Sequence, residues 1–275
     1  MPEGPEIRRA ADRVGRVLVD NEIIAAEFRL PKLRRYENRI GGSVVTQVAT
    51  RGKAMLTRFD NGLTLYSHNQ LYGRWYTTKR GRLPNTKRSL RVALHTATHS
   101  ALLYSASDIE VLTARQLERH PFLNRIGPDI LDSGLTSDRI VARLYESRFR
   151  RRSTGALYLD QSFIAGIGNY LRSEILYRAK VHPACRPIDL DAAALRRLAR
   201  QTLAIGKRSY VTGGVTMPRD RVRQLKSKGL TYADYRFWVF GRQELPCYRC
   251  GTAIARLMIS GRRLFLCPAC QITVC

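Results

Sequence analysis

Acidic residues are scarce in this chain: 22 Asp and Glu stand against 48 Lys and Arg, a net charge of +26 over 275 residues. Such a field decides no fold, but it selects polyanions as partners and makes their binding depend on salt. Nucleic acid and an anionic membrane surface are the two candidates. Long apolar runs are also missing. None approaches the ~20 residues that span a bilayer, no strongly amphipathic basic helix stands out, and the polar, acidic first residues carry no signal-peptide core. The chain reads as soluble and intracellular, with no membrane partner. No GxGxxG, P-loop or HExxH pattern occurs, so a nucleotide cofactor and zinc proteolysis have no support. The length suits two domains of ordinary size, and there are no internal repeats.

Cysteine is sparse but patterned. Four of the six cysteines form Cys247-x2-Cys250-x16-Cys267-x2-Cys270. Each pair sets two thiolates on one tight turn, and two such turns complete a tetrahedron for zinc. Two disulfides are the alternative, disfavoured in a reducing compartment. Cys185 and Cys275 have no partner at ligand spacing and read as free thiols.

Ile7, Ala10, Ala11, Val14, Val17 and Leu18 recur at helical spacing behind Pro5. Residues 22–112 read as strands, with hairpins over 54–68, around Asp60-Asn61-Gly62, and over 89–105. Many short strands with one leading helix suggest a two-sheet sandwich. Pro121, Gly127, Pro128 and Gly134 mark a linker, after which helices follow Thr136 or Ser137, follow Asn169, and include Leu195, Leu198 and Leu203. Residues 212–236 lack a clear period and hold six Lys or Arg, which suggests a mobile basic loop. Residues 255–259 and 262–266 flank Ser260-Gly261 and predict a β-hairpin finger.

The chemistry concentrates at Met1-Pro2-Glu3-Gly4-Pro5-Glu6. Loss of Met1 leaves Pro2 as a secondary amine, and an α-amino group titrates near 7.7–8.0, roughly two units below lysine. Such an amine attacks a sugar C1 to give an iminium, and Glu3 and Glu6 are close enough in sequence to handle protons. Pro5 also suits the first turn of a helix, whose dipole Glu6 complements. Gly166-Ile167-Gly168-Asn169 opens a helix, where backbone N–H groups bind phosphate; a structural turn with Asn169 as N-cap is the equal alternative. Lys53 follows Arg51-Gly52, and Gln70-Leu71-Tyr72 follows a strand. Pattern alone puts Leu71 and Tyr72 in the core, whereas an exposed tip of this kind wedges into a base stack. The run Arg148, Arg150, Arg151 and Arg152 reads as a solvated face.

Taken in order, Pro2-Glu3-Gly4-Pro5-Glu6, Arg51-Gly52-Lys53, Gly166-Ile167-Gly168-Asn169-Tyr170 and the four-cysteine finger resemble the formamidopyrimidine-DNA glycosylase/endonuclease VIII family. Residues 65–73 and 103–110, and Pro2-Glu3-Gly4, are similar to its bacterial endonuclease VIII branch. The resemblance covers nearly the whole chain. It implies an α+β fold: an N-terminal two-sheet β-sandwich with a leading helix (1–125), a helical helix-two-turn-helix DNA-binding domain (126–240) and a β-hairpin zinc finger (241–275). It implies a bifunctional glycosylase/AP lyase that removes oxidised pyrimidines and cleaves the strand by β,δ-elimination. Pro2 is then the nucleophile, Glu3 the acid at the deoxyribose ring oxygen, Glu6 a supporting carboxylate, and Lys53 a phosphate and proton-transfer group. Gln70, Leu71 and Tyr72 form the wedge. Arg125, Asn169 and Arg262 bind phosphate, Arg262 also assisting δ-elimination, and Cys247, Cys250, Cys267 and Cys270 hold one structural Zn2+. Double-stranded DNA with damaged bases or abasic sites is the implied partner of a monomer located in the bacterial cytoplasm, at the nucleoid. Two departures stand out: Arg263 directly follows Arg262, and the basic segment 212–236 is long. Alternatives are an oxidised-purine glycosylase of the same fold and a non-catalytic zinc protein that binds DNA.

Overall fold

A computed structural model of the chain describes residues 2–272. The chain divides into two compact units, Met1–Arg125 and Ile126–Cys275. The first opens with α1 (Gly4–Leu18), which buries Ile7, Ala10, Ala11, Val14 and Leu18, the stripe predicted from spacing. Next come β1 (Ala25–Phe28), the single-turn α2 (Glu37–Ile40), β2 (Val45–Arg51), β3 (Ala54–Phe59) and β4 (Leu63–His68). They are followed by β5 (Arg74–Lys79), β6 (Leu90–His95), β7 (His99–Tyr104) and β8 (Asp108–Thr113), then by two short helices, α3 (Ala114–Glu118) and α4 (Pro121–Arg125).

The strands form two four-stranded antiparallel sheets, in the orders β2-β3-β4-β8 and β1-β6-β7-β5. One apolar cluster joins Val45, Met55 and Leu65 of the first sheet to Phe28, Leu94 and Leu103 of the second, with Val14 and Leu18 of α1. Each such side chain, fully buried, contributes about 1.5–3 kcal/mol. The outer face of the first sheet carries its own cluster, where Leu117, Phe122 and Leu123 of α3 and α4 cover Leu56, Tyr66 and Leu112. Both sequence-predicted hairpins form: β3 pairs with β4 across Asn61-Gly62, with Gly62 at φ 79°, and β6 pairs with β7.

The second unit is helical. It comprises α5 (Ser137–Tyr145), α6 (Thr154–Leu157), α7 (Asn169–Ala179) and α8 (Ala192–Val211), then α9 (Arg219–Ser227) and α10 (Tyr232–Tyr235), and closes with the hairpin β9 (Ala255–Ile259) and β10 (Arg262–Leu266). Thr136 caps α5 and Asp191 caps α8 through side-chain oxygens that accept N–H bonds. Helix α7 is buried on nearly every side and touches both α8 and β10. Among the described residues, no helix is long and apolar enough to cross a membrane.

Two expectations are overturned. Residues 212–236 are not an element-free loop, because they contain α9 and α10. Only Leu225 of α9 is buried, so this helix has no apolar period to read. Two of its four cations lie over aromatic rings instead, Arg221 on Tyr248 at 5.5 Å and Lys226 on Tyr235 at 5.1 Å. Thr216 near its start and the residues just beyond its end are tied to Glu174, a fully buried carboxylate of α7. Glu174 accepts the Thr216 hydroxyl and the N–H groups of Trp238, Val239 and Phe240 at 2.9–3.0 Å. Burial raises its pKa, and the four accepted bonds oppose that shift. Cys185, expected as a free thiol, is buried and disulfide-bonded. Spacing along the chain carries no signal for such a pairing. Cys275 lies outside the described residues.

Candidate active site

In the first unit, Pro2 is half-buried and leads directly into Glu3, which is 3% exposed. Glu3 is the N-cap of α1; its carbonyl accepts the Ile7 N–H at 3.1 Å. The Glu3 N–H donates to Glu6 Oε2 at 3.1 Å, and Glu6 Oε1 lies 3.7 Å from Arg9 Nη2. Glu6 thus fixes the backbone on which Pro2 and Glu3 sit, a task distinct from direct proton transfer.

Lys53 occupies the two-residue turn between β2 and β3, closed by the Arg51 and Ala54 pair. Gly52 takes φ 61° there, the positive value that the first residue of a tight hairpin turn demands. Ala54 pairs with His68, and His68 with Asp108. This register brings Lys53 to His68, a residue that the motif reading missed. Burial depresses the His68 pKa; Asp108 opposes the shift and Lys53 adds to it. The imidazole is therefore neutral at pH 7. Its Nδ1 accepts the Gln70 N–H at 3.2 Å, so the proton resides on Nε2, which is left as a donor. The available signal was the strand register, which sets residue 68 opposite residue 54.

Gln70, Leu71 and Tyr72 form a turn closed by the Gly73 N–H on the Asn69 carbonyl at 2.7 Å. Leu71 is 54% and Tyr72 69% exposed, against the core placement that pattern suggested. Gln70 stands at φ 47°, uncommon for a residue with a side chain, and its Oε1 accepts the Ser107 hydroxyl at 3.0 Å. Arg88 donates to the Tyr72 carbonyl. Arg125, at the end of α4, is exposed and bonds through Nε to the Pro121 carbonyl at 2.9 Å.

In the second unit Gly168, not Asn169, is the N-cap of α7. Asn169 Oδ1 accepts from Arg172 Nη2 at 3.2 Å. Arginine only donates, so the oxygen of the amide must face it, and the NH2 donors of Asn169 are left for another acceptor. Arg172 is wholly buried; Nη1 donates to the Gly155 carbonyl at 2.7 Å and Nη2 to the Arg263 carbonyl at 3.1 Å. Ser173 adds a second link, donating to the Asn169 carbonyl and accepting the Phe265 N–H. The start of α7 is thereby stitched to β10, whose first residues, Arg262 and Arg263, are exposed behind the Ser260-Gly261 turn. Strand alternation sends these two arginines to opposite faces.

Cys247, Cys250, Cys267 and Cys270 converge, with every Sγ within 4.8 Å of the others and none in a disulfide. Tetrahedral zinc at about 2.3 Å from each sulfur needs S–S separations of about 3.7 Å, so the four thiols fit a metal ion. Supporting contacts surround them: the Tyr177 hydroxyl lies 3.3 Å from Cys247 Sγ, and Gln271 Oε1 accepts the Cys267 N–H at 3.0 Å.

Residues 1–108 match the formamidopyrimidine-DNA glycosylase N-terminal domain, and residues 126–219 match the H2TH domain of the same enzymes. "Endonuclease 8" of Salmonella arizonae is 48% identical over 271 residues, 98% of this chain and all of that protein. The chain belongs to the formamidopyrimidine-DNA glycosylase/endonuclease VIII family. An Escherichia coli "Endonuclease 8" is 49% identical over the same span. Members of this family are DNA glycosylases with AP lyase activity. The fold also matches a point mutant of Lactococcus lactis Fpg solved with Fapy-dG-containing DNA, at TM-score 0.81, 20% identity and coverage of 99% of this chain and 100% of that one. The complex of the same Fpg with abasic-site DNA gives a TM-score of 0.79 at 20% identity, covering 98% of this chain and 100% of that one. These two likenesses concern the α+β fold, with its two antiparallel sheets, its helices and a hairpin flanked by the four cysteines.

Proposed function

We propose that this family member removes oxidised pyrimidines from double-stranded DNA through a Schiff base on Pro2, then cleaves the strand by successive β- and δ-elimination. The observation that carries the reading is the start of α1. A prolyl residue precedes a buried carboxylate, and the backbone between them and the helix is held by Glu6. With Met1 removed, the Pro2 nitrogen bonds to C1′ and the base leaves with the glycosidic electron pair. Glu3 protonates the ring oxygen, the proton of the prolyl N–H passes to the departing base, and the opened sugar becomes an iminium. β-Elimination then removes a C2′ proton as the bond from C3′ to its oxygen breaks, and δ-elimination removes the C4′ proton as the bond from C5′ to its oxygen breaks, leaving phosphate at both ends of the gap. Lys53 and the neutral His68 supply a cation and an Nε2–H donor for a phosphate beside the reacting sugar.

Gln70, Leu71 and Tyr72 fill the stack where the nucleotide flips out, an assignment their exposure supports. Arg125, Asn169 and Arg262 bind backbone phosphates. Residues 1–125 carry the chemistry, 126–240 hold the duplex, and 241–275 form the finger. Cys247, Cys250, Cys267 and Cys270 hold one structural Zn2+, which supplies folding energy to the finger. The enzyme acts as a monomer inside the bacterial cell, at the nucleoid.

Borohydride trapping on a duplex with one thymine glycol, with mass spectrometry of the cross-linked peptide, tests this reading. The adduct is expected at Pro2. A zinc-loaded protein that binds the duplex yet traps neither there nor at an abasic site overturns it. Competing duplexes with thymine glycol and 8-oxoguanine separate pyrimidine from purine preference.

A further inference from the structure

The connection between β5 and β6 has no part in the roles above. From Lys79 to Arg91 the chain holds Lys79, Arg80, Arg82, Lys87, Arg88 and Arg91 and no acidic residue. Among the described residues, none of these six cations is in an ion pair. The end of this stretch lines an open pocket of about 570 Å³. The lining comprises three cations, Lys87, Arg88 and Arg91, three hydroxyls, Thr86, Ser89 and Ser105, and Tyr72 of the wedge turn.

Two observations say what this pocket takes. Arg91 is half-buried, and its Nε is shielded from solvent with no hydrogen-bond partner among the described residues. Arg91 nevertheless lines the pocket without an ion pair, so its guanidinium places uncompensated positive charge there. The second is the lining itself, which offers ammonium, guanidinium and hydroxyl donors and no carboxylate to repel negative charge. An apolar or stacked ligand finds only one ring there. The volume admits a phosphodiester together with part of its sugars.

We propose that this pocket binds one backbone phosphodiester of the DNA duplex beside the point where the wedge enters, a site separate from those of Lys53, Arg125, Asn169 and Arg262. The inference rests on the DNA-repair reading given above. Arg88 ties the pocket to the wedge, because one of its N–H groups already holds the Tyr72 carbonyl while the guanidinium has four more to offer. A phosphate seated between Arg88 and Arg91 therefore steadies the turn that carries Leu71 and Tyr72.

A methylphosphonate scan tests this. Single uncharged linkages are placed at successive positions of both strands in a duplex with a tetrahydrofuran abasic analogue. Affinity is read by fluorescence anisotropy for the full-length, zinc-loaded protein, for Lys87→Gln and for Arg91→Gln. At one or two positions the substitution is expected to cost the unaltered protein about tenfold and each variant much less, the non-additivity of a lost charge-assisted contact. Lys87→Gln, at an exposed position, is also expected to reduce the slope of log K against log salt by about 0.9. Scan profiles that are identical in all three proteins, with an unchanged salt slope for Lys87→Gln, overturn the pocket. Identical profiles with intact trapping at Pro2 remove the pocket alone. Failure of trapping, while one or two linkages cost the unaltered protein but not the variants, removes the enzymatic reading and leaves the pocket standing.

Discussion

In the proposed function, Asn169 divides one side chain between a structural contact and a binding one. Its oxygen is engaged by buried Arg172, and its nitrogen is the half that a phosphate can use. Asn169→Asp keeps an acceptor facing Arg172 but replaces the donor with a negative charge. We expect thermal stability close to the parent and DNA affinity lower by about 1.5–3 kcal/mol, on the order of 10- to 100-fold, by anisotropy on damaged and undamaged duplex alike. His68 gives a pH test. Its folded pKa is depressed by burial, so the unfolded chain takes up this proton first. The associated stability is present above the ordinary imidazole value of about 6.5 and is lost as pH falls below it. Denaturant midpoints should therefore drop between pH 7.5 and 5.5, and His68→Gln should flatten part of that drop. His182, also depressed by burial, accounts for a further part.

At the scale of elements, the exposed turn that carries Gln70, Leu71 and Tyr72 depends on Gly73. A Cβ there would stand 2.6 Å from the Asn69 carbonyl oxygen and 3.0 Å from Ala106 Cβ, and the oxygen belongs to the bond that closes the turn. Gly73→Ala is expected to cost on the order of 1–3 kcal/mol in denaturant unfolding, and to weaken binding to an abasic duplex more than to an undamaged one. Elements with a strong period were legible in the sequence. The α1 stripe, the Asn61-Gly62 hairpin and the Ser260-Gly261 tip each rest on local chemistry that shows in a few residues. What was not legible depends on partners far along the chain. Helix α9 buries a single leucine, and its surroundings are fixed by Glu174, more than 40 residues earlier. His68 gains its place from strand pairing, and Leu71 and Tyr72 look like strand-end core until the turn at Gly73 carries them outward. The Pro2-Glu3 start of the chain and the four cysteines stood out because each lies within a short, chemically distinctive run.

For the whole molecule, a charge of +26 makes DNA affinity a function of ionic strength. Log K should fall linearly with log salt with a slope of about −0.9 per phosphate neutralised, so titration at several KCl concentrations counts the contacts. Metal removal acts on the same surface. Stripping the four thiols with a chelator should disorder the finger, displace Arg262 and Arg263, and lower lesion cleavage, which readdition of zinc restores. Undiminished cleavage by the stripped protein would argue against a positioning role for the finger. Arg172 gives that dependence a return path. One guanidinium grips the Asn169 side chain and the Arg263 backbone, so ion occupancy and duplex occupancy belong to one thermodynamic cycle. Whatever factor the ion adds to the hold on the duplex, the duplex must add to the hold on the ion. Saturating undamaged DNA should therefore slow the transfer of zinc from the loaded protein to a coloured indicator.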